Sequence, residues 1–239
     1  MSKISFENYG NRARQCANDT VVAGRYVIQS SAEKLILPDI IGKLALAAND
    51  SLLDIGCGAG NLTIPLSFWV KDVTGIDHPS CIERFQRRFC TAAIKLVSGN
   101  FLEIEIHSRF DKILCYSVLH YLSDEAEVFA FIDKALALLV PGGRVLFGDI
   151  PNTSKKRRFL ASAHGQQFER EWRNEQQRCE ITTPTQLTSD SDLVQFDDQF
   201  LIRIMRRYRS QGFYAYILPE DPELPFGHTR EDIVIAHAG

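Results

Sequence analysis

The sequence has no long hydrophobic run and no hydrophobic N-terminal segment. The longest apolar stretch, residues 35–48, is interrupted by a proline and two charged residues and is too short to span a bilayer. Residues 1–24 are polar and mixed in charge, unlike the apolar core of a secretory signal. We therefore expect a cytoplasmic protein that has no membrane partner.

The sequence also lacks paired cysteines. Its six cysteines are scattered, and no two of them form a C-x-x-C pair. A disulfide framework or a zinc site needs paired or clustered cysteines, so we expect reduced thiols and no metal. The six are Cys16, Cys57, Cys81, Cys90, Cys115 and Cys179.

An excess of positive charge is absent as well. The chain carries 27 basic and 30 acidic residues, for a formal net charge of −3, which gives no electrostatic bias toward nucleic acid. Its length of 239 residues suits one α/β domain. We expect a single domain over residues 1–239 and a small-molecule partner; nothing in the composition indicates an oligomeric state.

What the sequence does contain is a short apolar run followed by three alternating glycines. Residues 51–60 read SLLDIGCGAG, with Asp54 ahead of the glycines. This pattern predicts a buried parallel strand, a tight turn and the start of a helix. Glycines in such a turn tolerate positive φ and let a ligand approach the backbone, while the helix presents unpaired N–H groups. An ordinary strand-to-helix turn remains the alternative for this motif alone.

Predicted strands and helices alternate from residue 30 to residue 150. The strands are predicted at 52–55, 72–77, 94–97, 110–115 and 144–147, and the helices at 30–48, 61–70, 79–91 and 124–140. Pro38 is expected to split or kink the first helix. The alternation predicts a Rossmann-like, doubly wound, mostly parallel sheet, which binds ligands at the carboxyl ends of its strands.

The pattern changes after residue 150. Residues 152–210 form a polar, partly helical insertion, and two strands at 213–218 and 232–236 predict an antiparallel C-terminal hairpin, which brings the sheet to seven strands. Four parts of the domain follow from this pattern. They are an N-terminal arm and helix (1–48), a cofactor-binding half (49–150), an insertion or lid (152–210) and the hairpin (211–239). The arm has no clean periodicity and is either a frayed terminus or a segment that folds over a ligand.

Two acids narrow the choice of ligand. Asp77 lies 21 residues after Gly56 at a strand end, where a carboxylate can accept both hydroxyls of a ribose. Nicotinamide enzymes use an acid in the same way, but the third glycine of their G-x-G-x-x-G pattern would fall on Asn61. Asp54 would repel a pyrophosphate and would suit a cationic ligand. An NAD-dependent oxidoreductase is therefore the less favoured alternative.

Four segments in order resemble the class I S-adenosylmethionine-dependent methyltransferases. The match runs from residue 52 to about residue 150, with weaker support from the hairpin. The segments are LLDIGCGAG at 52–60, GID at 75–77, FDKILCYSVLHYL at 110–122 and LLVPGGRVL at 138–146. The resemblance implies S-adenosyl-L-methionine as cofactor and methyl transfer as the reaction. A methyltransferase-like binding module without catalysis remains an alternative.

The resemblance also implies roles for individual residues. The glycines would pass under the methionine part, Asp77 would hold the ribose, and Asn100 and Phe101 would flank the adenine, although the family more often has aspartate at position 100. The full predicted cofactor set is Asp54, Gly56, Cys57, Gly58, Gly60, Asp77, His78, Asn100, Phe101 and Cys115.

The chemistry requires few catalytic side chains, because a sulfonium methyl group is already activated and its in-line transfer depends on orientation. A general base is needed only where the acceptor must lose a proton. The candidates are His120, Tyr116, Asp149, His164 and His228, of which His120, Tyr116 and His164 are preferred. The basic run at 155–158 begins just after strand five. An anionic acceptor held by Lys156, Arg157 and Arg158 is a further hypothesis, and a solvated helix face is the alternative.

Overall fold

The computed structural model describes residues 3–15, 30–178 and 193–237. Seven strands within these ranges form one sheet. They are β1 (Ser51–Ile55), β2 (Asp72–Asp77), β3 (Ile94–Ser98), β4 (Phe110–Tyr116), β5 (Leu139–Pro151), β6 (Tyr214–Pro219) and β7 (Arg230–Ala236). The order is β3-β2-β1-β4-β5-β7-β6, in which β1 to β5 are parallel and β7 is antiparallel to both neighbours. This arrangement confirms the predicted fold class.

Helices connect most of the strands. They are α1 (Lys3–Gln15), α2 (Ser30–Glu33), α3 (Ile36–Leu44), α4 (Thr63–Leu66), α5 (Pro79–Arg88), α6 (Glu125–Ala137), α7 (Thr153–Ala161), α8 (Ala163–Arg178) and α9 (Asp198–Ser210), with 3₁₀ turns at Leu119–Tyr121 and Gly227–Thr229. The helix predicted over 30–48 is split, as expected. Pro38 lies in the first turn of α3, where its missing N–H costs little.

Both faces of the sheet are covered, because successive residues of a strand point to opposite sides. In β1, Leu53 belongs to the core that α6 and α9 cover, whereas Leu52 packs with α3 on the other face. Helix α9 buries Phe200 and Ile204 in the first of these cores. The last part of the predicted insertion therefore covers the sheet.

Two predicted boundaries are wrong. The helix predicted over 61–70 is reduced to α4, because residues 67–69 close i→i+3 turns instead of continuing the α-helix. The Pro-Gly-Gly sequence at 141–143 does not stop a helix at residue 140. Helix α6 ends at Ala137, and these residues lie inside β5, next to a register shift against β4.

Candidate active site

Asp77 is held against the glycine turn. Its Oδ2 accepts a hydrogen bond from the backbone N–H of Gly58 at 2.7 Å, and its Oδ1 accepts one from His78 at 2.6 Å. Burial raises the pKa of this carboxyl, and the two N–H donors oppose that shift. The three glycines have φ values of +86°, +57° and +87°, so the turn uses the conformation for which glycine is suited.

A small cavity lies beside this turn, at the carboxyl ends of β1, β2 and β3. It encloses about 20 Å³, which is room for about one water molecule. The residues around it come from six different segments. They are Phe6, Ile55, Gly56, Ile76, Asp77, Gly99, Asn100, Phe101, Val118 and Phe131. Four predicted cofactor residues, Gly56, Asp77, Asn100 and Phe101, are thus brought together.

Helix α1 closes this cavity from outside. The Phe6 ring lies 4.8 Å from the His78 ring, and a β-carbon added to Gly10 would come within 2.2 Å of that imidazole. The Tyr9 ring meets Tyr121 edge-on at 4.9 Å. The structure thus places the described part of the N-terminal arm over the site. Sequence reasoning missed Phe6, because no local motif indicates a residue that reaches the site from another element, and it did not single out Val118 within the matching segment 110–122.

Asp54 is turned into the interior. It is 3% exposed, and its Oδ2 accepts a hydrogen bond of 2.6 Å from the Thr63 hydroxyl. Burial raises the pKa of Asp54 to about 7, the Thr63 hydrogen bond lowers it, and the nearby charge of Asp77 raises it further. The acid is therefore close to its titration point at neutral pH.

The remaining predicted cofactor residues fill structural positions. Cys57 and Cys115 are buried, and burial raises the pKa of both thiols, so neither is a reactive thiolate. A β-carbon on Gly60 would come within 2.9 Å of the Phe85 ring. His78 caps the start of α5, because its Nδ1 accepts the N–H of Ser80 at 3.1 Å.

A second polar group lies at the ends of β4 and β5. Ser117 and Asp149 both have positive φ, +62° and +57°, and the Ser117 hydroxyl donates a hydrogen bond to the Asp149 carboxylate. The other carboxylate oxygen lies 3.4 Å from Nε of Arg230. Ser117 and Asp149 are thus two non-glycine residues, neighbours in space, whose left-handed backbone conformation stores strain. Such strain is typical of functional sites.

His120 lies in the 3₁₀ turn that follows β4, three residues after Ser117. Its ring lies 4.2 Å from the Tyr121 ring, and its enclosed Nδ1 has no hydrogen-bond partner within the described ranges. Burial, assisted by the positive charge of Arg230, lowers the pKa of this imidazole well below its usual range. His120 is therefore neutral at pH 7.

The other two preferred catalytic candidates are engaged elsewhere. The Tyr116 hydroxyl donates to Oε1 of Glu220 at 3.3 Å. Both residues are buried, so this hydrogen bond lies in the interior. Burial raises the pKa of Glu220, and the charges of Asp149 and Asp232 raise it further. His164 packs against the rings of Phe159 and His228 at 5.8 and 5.4 Å. These contacts join α7, α8 and the 3₁₀ turn before β7.

The basic run at 155–158 is divided between two environments. The ammonium group of Lys155 donates to the carbonyls of Gly227 and Arg230, and Arg158 forms an ion pair with Asp198. The side chains of Lys156 and Arg157 are exposed on α7. Of the three predicted substrate residues, these two present their charge to solvent.

Two other kinds of feature are absent from the described ranges. No helix there is long and apolar enough to cross a membrane. No group of three or more histidine, cysteine, aspartate or glutamate side chains in the same ranges is placed to hold a metal ion.

A seven-stranded sheet in this order, with a glycine turn and an acid at the end of β2, defines the class I S-adenosylmethionine-dependent methyltransferases. Within that class, the sequence profile of the family "Nodulation protein S (NodS)" matches residues 30–168, more than half of the chain. The chain therefore belongs to the nodulation protein S family. This match confirms the resemblance found in the sequence.

Curated relatives agree with this assignment. Nodulation protein S of Rhizobium tropici is 33% identical over 128 residues, which cover 53% of this chain and 52% of the relative. An uncharacterized methyltransferase of Bacillus mycoides is 29% identical over 114 residues, covering 48% and 51%. The chain thus spans about half the length of the curated relatives that it matches.

Solved structures show the same fold. The N-methyltransferase NodS of Bradyrhizobium japonicum WM9, in complex with S-adenosylhomocysteine, aligns with a TM-score of 0.62 at 18% identity, covering 99% of this chain and 100% of that one. Phosphoethanolamine N-methyltransferase 1 of Haemonchus contortus aligns with a TM-score of 0.71 at 17% identity, covering 97% and 48%. Identities this low establish the shared fold and nothing about the acceptor.

Proposed function

We propose that this protein transfers the methyl group of S-adenosyl-L-methionine to a small-molecule acceptor. The observation that carries the proposal is the contact between Asp77 and the glycine turn, beside a cavity at the ends of the parallel strands. Membership of the nodulation protein S family supports it, as do the complexes of similar structures with the cofactor product.

In this proposal, the residues around the cavity hold the cofactor. Gly56 and Gly58 lie along its methionine part, Asp77 accepts the ribose hydroxyls, and Asn100 with Phe101 forms the adenine side. The cavity under α1 has room for about one water molecule, so α1 must move for the cofactor to bind. Afterwards α1 excludes water from the site.

The bound cofactor supplies an activated methyl group on a sulfonium. The protein orients the acceptor in line with that group and accepts the proton that the acceptor loses. We assign the second role to His120, because its neutral imidazole has an enclosed, unpaired Nδ1. An amine acceptor would fit this role: the cofactor would supply the methyl group and leave as S-adenosylhomocysteine, and His120 would take the proton that the methylated amine loses. Two of the similar structures are N-methyltransferases.

The acceptor is proposed to carry a negative charge. Lys156 and Arg157 extend from α7, which follows β5 directly and packs on the 3₁₀ turn before β7. Acceptors in doubly wound folds enter at this end of the sheet. We propose that α7 and α8 form a lid over the acceptor, that residues 1–239 act as one domain, and that the protein works in the cytoplasm without nucleic acid.

Calorimetry with two probes tests the proposed cofactor. S-adenosylhomocysteine should bind in the micromolar range, and NAD should show no heat of binding. Binding of NAD without binding of S-adenosylhomocysteine would support the oxidoreductase alternative instead. Methyl transfer from labelled S-adenosylmethionine to a panel of anionic amines then separates an enzyme from a binding module, because a module binds without turnover.

A further inference from the structure

The turn after β3 forms the proposed adenine side of the site. It begins where the N–H of Gly99 donates to the carbonyl of Asp77 at 2.9 Å. The N–H groups of Glu103 and Ile104 then both donate to the carbonyl of Asn100, at 2.9 and 3.1 Å. The chain therefore folds back within five residues, and the first of them line the cavity.

Lys134 of α6 fastens this turn from a distant part of the sequence. Its Nζ donates to the carbonyl of Ile104 at 2.6 Å and to that of Leu102 at 3.2 Å. The same ammonium group lies 5.2 Å from the centroid of the Phe101 ring, within cation–π range. One cation thus contacts three residues of the segment 101–104.

The location of this cation is costly, because desolvation disfavours an ammonium group. Burial lowers the pKa of Lys134, and the charge of Glu105 partly offsets this effect. The two carbonyls and the aromatic face compensate for the lost water. Phe131, also on α6, packs against Phe101 as well, with the two ring centroids 4.7 Å apart. An apolar side chain at position 134 of α6 would leave the carbonyls of Leu102 and Ile104 without this donor.

We propose that Lys134 is a positioning residue for base recognition. It holds the 100–104 turn so that the Asn100 amide and the Phe101 ring keep their places at the adenine side. The inference rests on the proposed function, because it concerns the cofactor assigned to the same cavity. Lys134 itself does not line the cavity. It therefore acts through Asn100 and Phe101 and is not a catalytic residue.

The test compares two ligands that differ at the base. S-inosylhomocysteine has a carbonyl where S-adenosylhomocysteine has its exocyclic amine, so the ratio of their dissociation constants measures base recognition. In the full-length Lys134→Met variant, the dissociation constant for S-adenosylhomocysteine should rise about tenfold. The ratio between the two ligands should fall toward one, because the turn no longer presents Asn100 correctly.

Two further variants isolate the effect. Lys134→Arg retains a cationic donor and should restore most of the ratio. Lys71→Met removes a lysine whose side chain is 70% exposed and whose nearest acid is 4.0 Å away, so it should change neither constant. If Lys134→Met does not fold, Lys134→Gln, which keeps a neutral donor, is measured in the same way.

The results distinguish this inference from the proposed function. A parent protein that does not bind S-adenosylhomocysteine would overturn both. A parent that binds it, together with a position-134 variant that melts earlier but keeps the parental ratio of dissociation constants, would show a purely structural role for Lys134 and overturn this inference alone. A fall in the ratio that Lys134→Arg reverses would support it.

Discussion

The carboxylate of Asp77 accepts the backbone N–H of Gly58 at 2.7 Å, across 19 residues of sequence. This bond joins the end of β2 to the middle of the turn that follows β1. The side of Gly58 on which a side chain would project is open, since a β-carbon there would meet no atom within 4 Å. Asp77 also lines the cavity proposed for the cofactor.

Replacing Asp77 should weaken cofactor binding. Asp77→Ala is expected to cost about 2–3 kcal/mol in the binding of S-adenosylhomocysteine, the scale of charge-assisted hydrogen bonds. The matched control is Asp72→Ala at the start of the same strand, where the side chain is half exposed and should not affect binding. Calorimetry measures both. An unchanged dissociation constant for Asp77→Ala would show that the acid does not hold the ribose.

A side chain at Gly58 should block the cofactor. Gly58→Val would project into the open space and would also strain a φ of +57°. Gly142→Val provides the control, because Gly142 has a φ of +77°, an equally open surrounding and a position within β5 far from the cavity. Both variants should lose stability in thermal melts, but only Gly58→Val should lose binding. If a folded Gly58→Val protein still bound S-adenosylhomocysteine normally, the glycine motif would be a structural turn and not part of the cofactor site.

Asp54 should make stability depend on pH. Burial raises its pKa to about 7 in the folded protein, against about 4 in an unfolded chain. Its contribution to stability is therefore fully present below about pH 4 and is lost as pH rises to about 7. In urea unfolding, Asp54→Asn should gain about 2–3 kcal/mol relative to the parent between pH 5 and pH 8.

The control for this titration is Asp111→Asn. Hydrogen bonds from Ser51 lower the pKa of Asp111, so this carboxyl is ionised in both folded and unfolded chains throughout the same interval. The variant should keep a constant difference from the parent between pH 5 and pH 8. A constant difference for Asp54→Asn as well would mean that Asp54 is ionised in the fold at pH 5.

His120 should determine the acid limb of turnover. Its lowered pKa keeps the imidazole neutral to a pH below 6.5, so activity should persist to lower pH than a free histidine would allow. His120→Gln should reduce kcat by about 10²–10⁴-fold, the usual contribution of a general base, without changing cofactor affinity. His107→Gln, at an exposed histidine, is the control. A variant with parental kcat and the same acid limb would remove His120 from the mechanism.

The exposed part of the basic run should affect the acceptor. In the double variant Lys156→Ala/Arg157→Ala, KM for an anionic acceptor should rise while cofactor affinity stays the same, and the effect should shrink at high salt. Arg158→Ala removes an exposed ion pair with Asp198, which solvent screens, and should leave KM unchanged. Equal acceptor kinetics in the double variant and the parent would show that these residues form a solvated helix face and do not bind the acceptor.

Much of the fold could be predicted because the relevant signals are local. Positive φ at Gly56 and Gly58, the acid that ends β2 and the alternation of strands and helices all follow from short patterns that a single element imposes on its own residues. Boundaries were less accurate at α4 and β5. Helix α4 is shortened by the i→i+3 turns that follow it, and β5 includes glycines at a register shift against β4.

The sequence by itself determined the family, the sheet and the strand ends at which the site lies. Only the tertiary structure decided which side chains meet there: Phe6 over the end of β2, Asp54 turned away to Thr63, Ser117 joined to Asp149, and Lys134 under the adenine-side turn. Except for Asp54 and Thr63, these partners come from distant elements. Their contacts depend on how helices pack across the sheet, and hydrophobic periodicity specifies the face a helix buries but not the residues it meets.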